Sequence, residues 1–405
     1  MIRFLTAGES HGKALSTIVE GFPSNLVIDN EYINFHLRRR QAGYGRGHRM
    51  KIETDTAEIL SGIRFQKTLG SPISLLIRNS DWVNWTDKMT SDKESVKAEK
   101  ISIPRPGHAD LVGVSKYNYN DIRNSIERSS ARETAARVAA GTIARKFLEV
   151  FGITVGSFVE SIGGIYPTGN FILRLFENEL PDNFNAWSLS EEADKSEVRV
   201  LDEDHEAKII GKIQTAKKKG DTLGGNFFVI ATGVPPGLGS FVHYDRRMDS
   251  EIANSIMSIN AVKAVEIGTG FKCADIFGSE SHDEIISKDT KLTRKTNRAG
   301  GIEGGITTGL PIIVRAAMKP IATLMSPIES VDLSTMRQIV SRRERSDFVA
   351  VPACAVIGES MLAWSIAKLF LEKFGGDSLE ETQDNYNTYI EKLYIRMAEN
   401  FKSNI

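Results

Sequence analysis

Two kinds of apolar pattern alternate along the chain. Residues 225–234 (GNFFVIATGV) and 311–317 (PIIVRAA) are rich in β-branched and aromatic residues and predict strands. Residues 130–148 (SARETAARVAAGTIARKFL) and 356–373 (VIGESMLAWSIAKLFLEK) predict helices, the second stopped by Gly375-Gly376. A shorter helix is expected over 31–40, capped by Asp29 or Asn30, and the charged tail after Ser378 reads as an exposed helix. The polar stretches 86–100 and 170–206 read as surface excursions or flaps. Strands and helices interleave throughout without an internal repeat, which predicts α/β or α+β architecture.

Composition narrows the class. With 405 residues, 41% hydrophobic and 25% charged, the chain is ordinary globular protein, and its length allows two or three domains. Lys plus Arg (51) balances Asp plus Glu (52), so a protein that binds nucleic acid through its bulk field is excluded and any cationic site must be local. Cys273 and Cys354 make neither a disulfide framework nor a Cys-rich zinc site. The start MIRFLTAGESHG lacks the features of a signal peptide, and no membrane span is expected. The expectation is a soluble cytoplasmic protein. Nucleotide P-loop, G-x-G-x-x-G, H-E-x-x-H and G-x-S-x-G patterns are absent.

Against this balanced charge, three arginine clusters stand out. Arg38-Arg39-Arg40 runs into a glycine-spaced loop carrying Arg46 and Arg49. Arginines in the last turn of a helix complement its dipole, yet Arg46 and Arg49 lie beyond any such turn, and arginine beside glycine suits an anion site. Arg128-Ser129-Ser130-Ala131-Arg132 precedes a predicted helix start, with Ser130 and Glu133 at capping-box spacing. This reads either as an ordinary capped helix or as a second anion site. Arg342-Arg343-Glu344-Arg345-Ser346-Asp347 abuts the apolar FVAVPACAVIG, where charges need partners or ligands. Ser10-His11 lies between glycines and His108 follows Pro106-Gly107; both histidines are candidate acid/base groups, whereas His36, His48, His205, His243 and His282 read as structural. The residues alone point to an enzyme for a multiply anionic small molecule and go no further.

The same segments resemble the chorismate synthase family: GESHG (8–12), RRRQAGYGRGHRMKIE (38–53), RPGHAD (105–110), RSSARETAARVAAG (128–141), INAVKAVEIG (259–268), AGGIEGGITTG (299–309), MKP (318–320) and RRERSDFVAVPA (342–353). The resemblance implies an α+β fold, a single-domain layered β-α-β sandwich over 1–405 with a peripheral helical tail at 378–405, assembled as a homotetramer. It implies a carbon–oxygen lyase that eliminates phosphate from 5-enolpyruvylshikimate 3-phosphate, the last step of the shikimate pathway, using reduced FMN without net redox change. NADPH enters if the chain reduces its own flavin; otherwise a separate flavin reductase is the implied partner. By resemblance His11, His108 and Asp347 are catalytic. Arg128, Ser129, Ser130, Asn260, Ala261, Gly304, Lys319, Pro320, Ile321, Ala322, Thr323 and Arg345 bind FMN. Arg40 and Arg46 fall between NADP(H) and substrate, and Ser10, Arg49 and Arg132 join them on the substrate side. The sequence reads Ile321-Ala322-Thr323 where relatives are often more polar. The alternative is an FMN/NADPH-dependent reductase, which would consume NADPH stoichiometrically.

Overall fold

Period-2 alternation builds the first of two four-stranded antiparallel sheets. The strands are β1 (Arg3–Ala7), β2 (Ala14–Glu20), β3 (Ala57–Ser61) and β4 (Ile73–Arg78), in the order β1-β2-β4-β3. Leu15, Thr17 and Val19 on β2, and Ile73, Leu75 and Ile77 on β4, turn inward to the core, while their neighbours face the other side. The second sheet comprises β5 (Thr154–Ile162), β6 (Gly225–Thr232), β7 (Val262–Ile267) and β8 (Ile312–Met318), in the order β5-β6-β8-β7. This computed structural model describes every residue except 1, 48–53, 93–98, 182, 289–290, 344–346 and 403–405.

The helices are α1 (Asn30–Gln41), α2 (Asp110–Tyr117), α3 (Arg123–Ser129), α4 (Thr134–Glu149), α5 (Ala186–Asp194), α6 (Glu203–Lys219), α7 (Met248–Met257), α8 (Val351–Phe374) and α9 (Leu379–Lys402). α4 packs on β1, β2 and β4 from one side and α8 packs on β5 and β6 from the other, with α1 and α7 beside them, so a helical layer separates the sheets. The fold is α+β, a β-α-β sandwich. α8 is apolar on all sides and long enough to span a bilayer, but 94% of its most apolar window is buried inside the protein; it is the central core helix. It starts five residues earlier than the sequence suggests, with Pro352 in its first turn.

Small residues let α4 and α8 approach closely. A methyl group on Gly141 would come within 2.5 Å of Ser360 Cβ and 2.6 Å of its carbonyl oxygen. Gly141→Ala is therefore expected to lower stability by about 1–3 kcal/mol, read as a shift in the urea midpoint. An unchanged midpoint would contradict this packing.

The stretch 170–206 is not the surface flap its polarity suggests. Its helix α5 covers the outer face of the second sheet, burying Ala186, Leu189 and Ala193 against Phe158, Phe228, Ile230 and Ile313. Two of the three anchors are alanines and the helix between them is polar, so the segment carries little hydrophobic signal. Of the excursion at 86–100, residues 93–98 lie outside the described residues, and Thr86–Met89 form one helical turn. The tail helix α9 is mostly exposed as expected, seated by Tyr386 and Tyr389 on Phe370 and Phe374.

One acid interrupts α8. Glu359 is fully buried and accepts hydrogen bonds from Arg39 (2.7 and 3.0 Å), Arg145 (2.5 Å), Arg199 (3.1 Å), Ser157 (2.6 Å) and Ser190 (2.7 Å). Burial works to raise its pKa, but the Arg39 and Arg145 charges overcome this and hold the carboxyl well below the usual range. Burial, reinforced by the charges of Arg145 and Arg39, lowers the pKa of neighbouring His36 well below its usual value, so it stays neutral. Asp194 completes the cluster by pairing with Arg39 and Arg199.

Candidate active site

The three consecutive arginines of α1 serve three different ends. The helix starts at Asp29, whose carboxylate accepts from Tyr32 N (2.9 Å). Successive side chains then fan out by about 100° per residue. Arg38 points to solvent and pairs with Glu31; Arg39 turns to Glu359; Arg40 runs, buried, to the start of α4. There its Nε donates to Thr134 Oγ1 (3.0 Å), one Nη to the Ala131 carbonyl (3.0 Å), and the other reaches Asp55 at 3.2 Å.

Arg132 comes to the same carboxylate from the opposite side. It pairs with Asp55 and donates from Nε to Asn79 Oδ1 (2.9 Å). The Asn79 amide in turn donates to the Gly12 (2.7 Å) and Glu9 (3.2 Å) carbonyls, fixing the glycine-flanked loop that carries His11. Two buried guanidinium groups thus face one buried carboxylate. Burial pushes Arg40 down to about 10, so it remains charged at neutral pH. Two buried guanidinium groups beside a carboxylate are a chemistry that suits an anionic ligand.

Ser130 adjoins it, though not as the capping box predicts. Its Oγ accepts from Arg132 N (3.3 Å), capping a 3-10 turn over Ala131–Glu133 ahead of α4, and donates to Ser10 Oγ (3.1 Å). Glu133 instead turns away to Thr6 and Arg137. The reciprocal bond fails because Glu133 has closer partners on β1 and one helical turn ahead.

His11 hangs on Glu127 of α3. Its backbone N donates to Glu127 Oε2 (2.9 Å), its ring Nδ1 lies 2.8 Å from the same oxygen, and its ring stacks on Trp85 with centroids 3.9 Å apart. His108 has a parallel support: Nδ1 lies 2.5 Å from Asp110 Oδ1, and Asp110 also accepts from Arg105 Nε and Nη2 at 2.9 and 3.0 Å. Burial would raise the Asp110 pKa, but hydrogen bonds from His108 and Arg105 hold it well below the usual carboxylate range.

The segments named as a flavin site adjoin both histidines. Asn260 Nδ2 donates to the Ser129 carbonyl (3.1 Å), Lys319 N to the Ala261 carbonyl (2.9 Å), Lys319 Nζ to the Gly107 carbonyl (2.5 Å), and Arg105 to Thr323 Oγ1 (3.2 Å). Ala261 holds φ at +67°, a conformation rare for residues with a side chain and common at functional sites. Ile321, apolar in its side chain, engages through its carbonyl, which accepts from Thr222 Oγ1 (2.7 Å). Arg128 donates to the Thr6 carbonyl beside them (3.0 Å).

Asp347 closes another side. It accepts from Gly47 N (2.5 Å) and pairs with Arg46 at 3.0 Å, and both charges act on buried Arg40. Arg49 and Arg345 lie outside the described residues. Gly304 is not brought to this site. The neighbouring Gly305 carbonyl accepts from Met248 N at the start of α7, whereas Asn260 follows the end of that helix, about 15 Å further on for ten residues.

Sequence reasoning missed Asp55, Asn79, Trp85 and Glu127. Asn79, Trp85 and Glu127 each act on a residue at least 53 positions away, and Asp55 joins Arg40 to Arg132 across 15 and 77 positions, so no short-range motif betrays them. Among the described residues, no group of three His, Cys, Asp or Glu side chains stands together to hold a metal ion.

Comparison with known proteins agrees with this arrangement. A family model described as chorismate synthase matches residues 2–371. The chorismate synthase of Chlorobium phaeovibrioides (strain DSM 265 / 1930) is 54% identical over 397 residues, spanning 97% of this chain and 98% of the relative. That of Aquifex aeolicus (strain VF5) is 53% identical over 391 residues, spanning 96% and 97%. A solved structure described as "Crystal Structure of Chorismate Synthase" superposes with a TM-score of 0.79 at 45% identity, spanning 97% of this chain and 98% of its own. The family model, the identities near one half and the shared fold agree over almost the whole length: the chain belongs to the chorismate synthase family and is a lyase.

Proposed function

We propose that the chain catalyses the anti-1,4-elimination of phosphate from 5-enolpyruvylshikimate 3-phosphate to give chorismate, the last step of the shikimate pathway, with reduced FMN and no net redox change. The observation that carries this reading is the pair of buried guanidinium groups, Arg40 and Arg132, on the single carboxylate Asp55. A substrate with two carboxylates and a phosphate matches a wall of arginines, and preorganised cations stabilise charge that grows on the leaving oxygen. Ser10, Ser130 and Arg46 complete the polar wall.

As the C–O bond breaks, its electron pair goes to the phosphate oxygen. His11 delivers a proton there from Nε2, the ring nitrogen opposite the one that faces Glu127. His108 and Asp347 would act at the edge of the second ligand, Asp347 as a hydrogen-bond acceptor. That ligand fits by the chemistry of its donors: Arg128, Ser129 and Ser130 at the start of a turn, Asn260 and Ala261, and Lys319 to Thr323 suit an anionic flavin phosphate and the polar rim of its ring. When bound, reduced FMN supplies the electron-rich ring that assists loss of the ring proton. NADPH serves the chain only if it reduces its own flavin; otherwise a separate reductase does so.

The chain acts as one catalytic unit with α9 as a peripheral tail, in the cytoplasm. A homotetramer accords with Leu5 and Ile18, paired across β1 and β2 on the open face of the first sheet, which are 69% and 48% exposed.

Two measurements test this. Incubated anaerobically with 5-enolpyruvylshikimate 3-phosphate and photoreduced FMN, the protein is expected to release phosphate and chorismate in equal amounts; no product from folded, flavin-binding protein contradicts the reading. Arg132→Ala is expected to raise KM for the substrate about 10- to 100-fold, the worth of a charged hydrogen bond. A KM within twofold of the parent removes Arg132 from the anion site.

A further inference from the structure

We infer that Glu127 is a positioning residue for His11, acting with Trp85 to fix which ring nitrogen faces the substrate. The inference rests on the reading of His11 as the proton donor. Glu127 is almost fully buried, and its single atom Oε2 meets both the backbone N and the ring Nδ1 of His11. Its own carbonyl accepts from Ser10 N (3.0 Å), so α3 holds the loop at two successive residues. A carboxylate can only accept a hydrogen bond, so Nδ1 carries a hydrogen whether the ring is charged or neutral. Nε2 is left as the atom that exchanges a proton.

Trp85 sets the plane of the ring. The two rings are inclined by only 26°, and the indole is itself tied down, its Nε1 donating to Asp81 Oδ2 (2.8 Å). Arg123 sits over the same indole at 5.3 Å and 3.9 Å from Glu127, completing a support built from α3 and the 3-10 turn Ser80–Asn84 that Trp85 ends. In the transfer, the proton on Nε2 passes to the phosphate oxygen freed by C–O cleavage, and the ring becomes neutral, with Nδ1 keeping its hydrogen and donating it to Glu127 Oε2. Rotation of the ring by a half-turn would put the wrong nitrogen at the substrate; the carboxylate and the stacked indole oppose it together.

Nitrogen-15 NMR of the ligand-free protein, with the His11 signals assigned by their loss in His11→Gln, reads this without any turnover. At a pH where the ring is neutral, the Nδ1–H tautomer is expected; the Nε2–H tautomer overturns the proposal. In the elimination assay, Glu127→Gln is expected to lower kcat about 10- to 100-fold with KM within twofold, and Glu127→Asp to recover part of the loss. Full kcat in Glu127→Gln, beside an impaired His11→Ala, overturns the proposal alone. Full turnover in His11→Ala overturns the donor reading with it. Should Glu127→Gln fail to fold, the tautomer in the unsubstituted protein still decides.

Discussion

Turnover by the His11→Ala variant is expected to fall about 10²- to 10⁴-fold, the range over which a positioned general acid contributes. The variant should still fold. Glu127 keeps the backbone N–H of residue 11 and the nearby Arg123, so its carboxylate is not stranded in the interior. Binding should also survive, because the cations proposed to grip the anionic substrate, Arg40 and Arg132, are held by Asp55, Asn79 and Thr134 and not by His11. The signature is therefore a fall in kcat with little change in KM or in flavin affinity. Steady-state kinetics at a single pH suffices, and a kcat within threefold of the parent would remove His11 from the reaction.

The second large effect is on stability. Glu359→Ala is expected to lower the unfolding free energy by about 3–5 kcal/mol, the cost of removing one partner from a buried ionic cluster. Three guanidinium groups and two hydroxyl groups lose their shared acceptor at once, and Asp194 reaches only Arg39 and Arg199. Burial already pushes Arg199 down to about 9, and the repulsion of Arg39 adds to it. The pH dependence has a definite sign. The folded carboxyl is held well below its ordinary value of 4.5, so the unfolded chain binds the proton more readily. The stability this acid contributes is fully present above that value and is lost as pH falls through the folded one. Urea midpoints of the parent and Glu359→Gln should therefore differ most near neutrality and converge in acid. A constant gap, or a loss below about 1 kcal/mol for Glu359→Ala, would contradict the account.

The sequence made some of this legible and hid the rest for physical reasons. The strands at 225–232 and 312–318 and the capped helix at 30–41 announce themselves because their signals are local: β-branched runs, and an aspartate before the first turn. The arginine triplet was visible, but its division among solvent, Glu359 and the start of α4 was not. That division needs the helix to be placed between two sheets, and it depends on a rotation of one residue. Glu359 drew no notice in its apolar run, because nothing nearby in sequence says that Arg39, Arg145 and Arg199 converge on it. The same holds for Glu127 and Trp85, which meet His11 across more than 70 intervening residues. The helix at 186–194 was missed because alanine and serine pack a sheet face without looking hydrophobic. Resemblance to a family supplied the chemical roles that residue types alone left open.

The central claim is that this arginine-lined site eliminates phosphate with its flavin as a catalyst and not as a consumed reductant. The most direct test is the number of chorismate molecules formed per FMN in an anaerobic mixture without NADPH, starting from a limiting amount of reduced flavin. The account predicts many turnovers per flavin, equal phosphate and chorismate, and a flavin spectrum that is reduced at the end. One product molecule per flavin, with the flavin left oxidised, would contradict it.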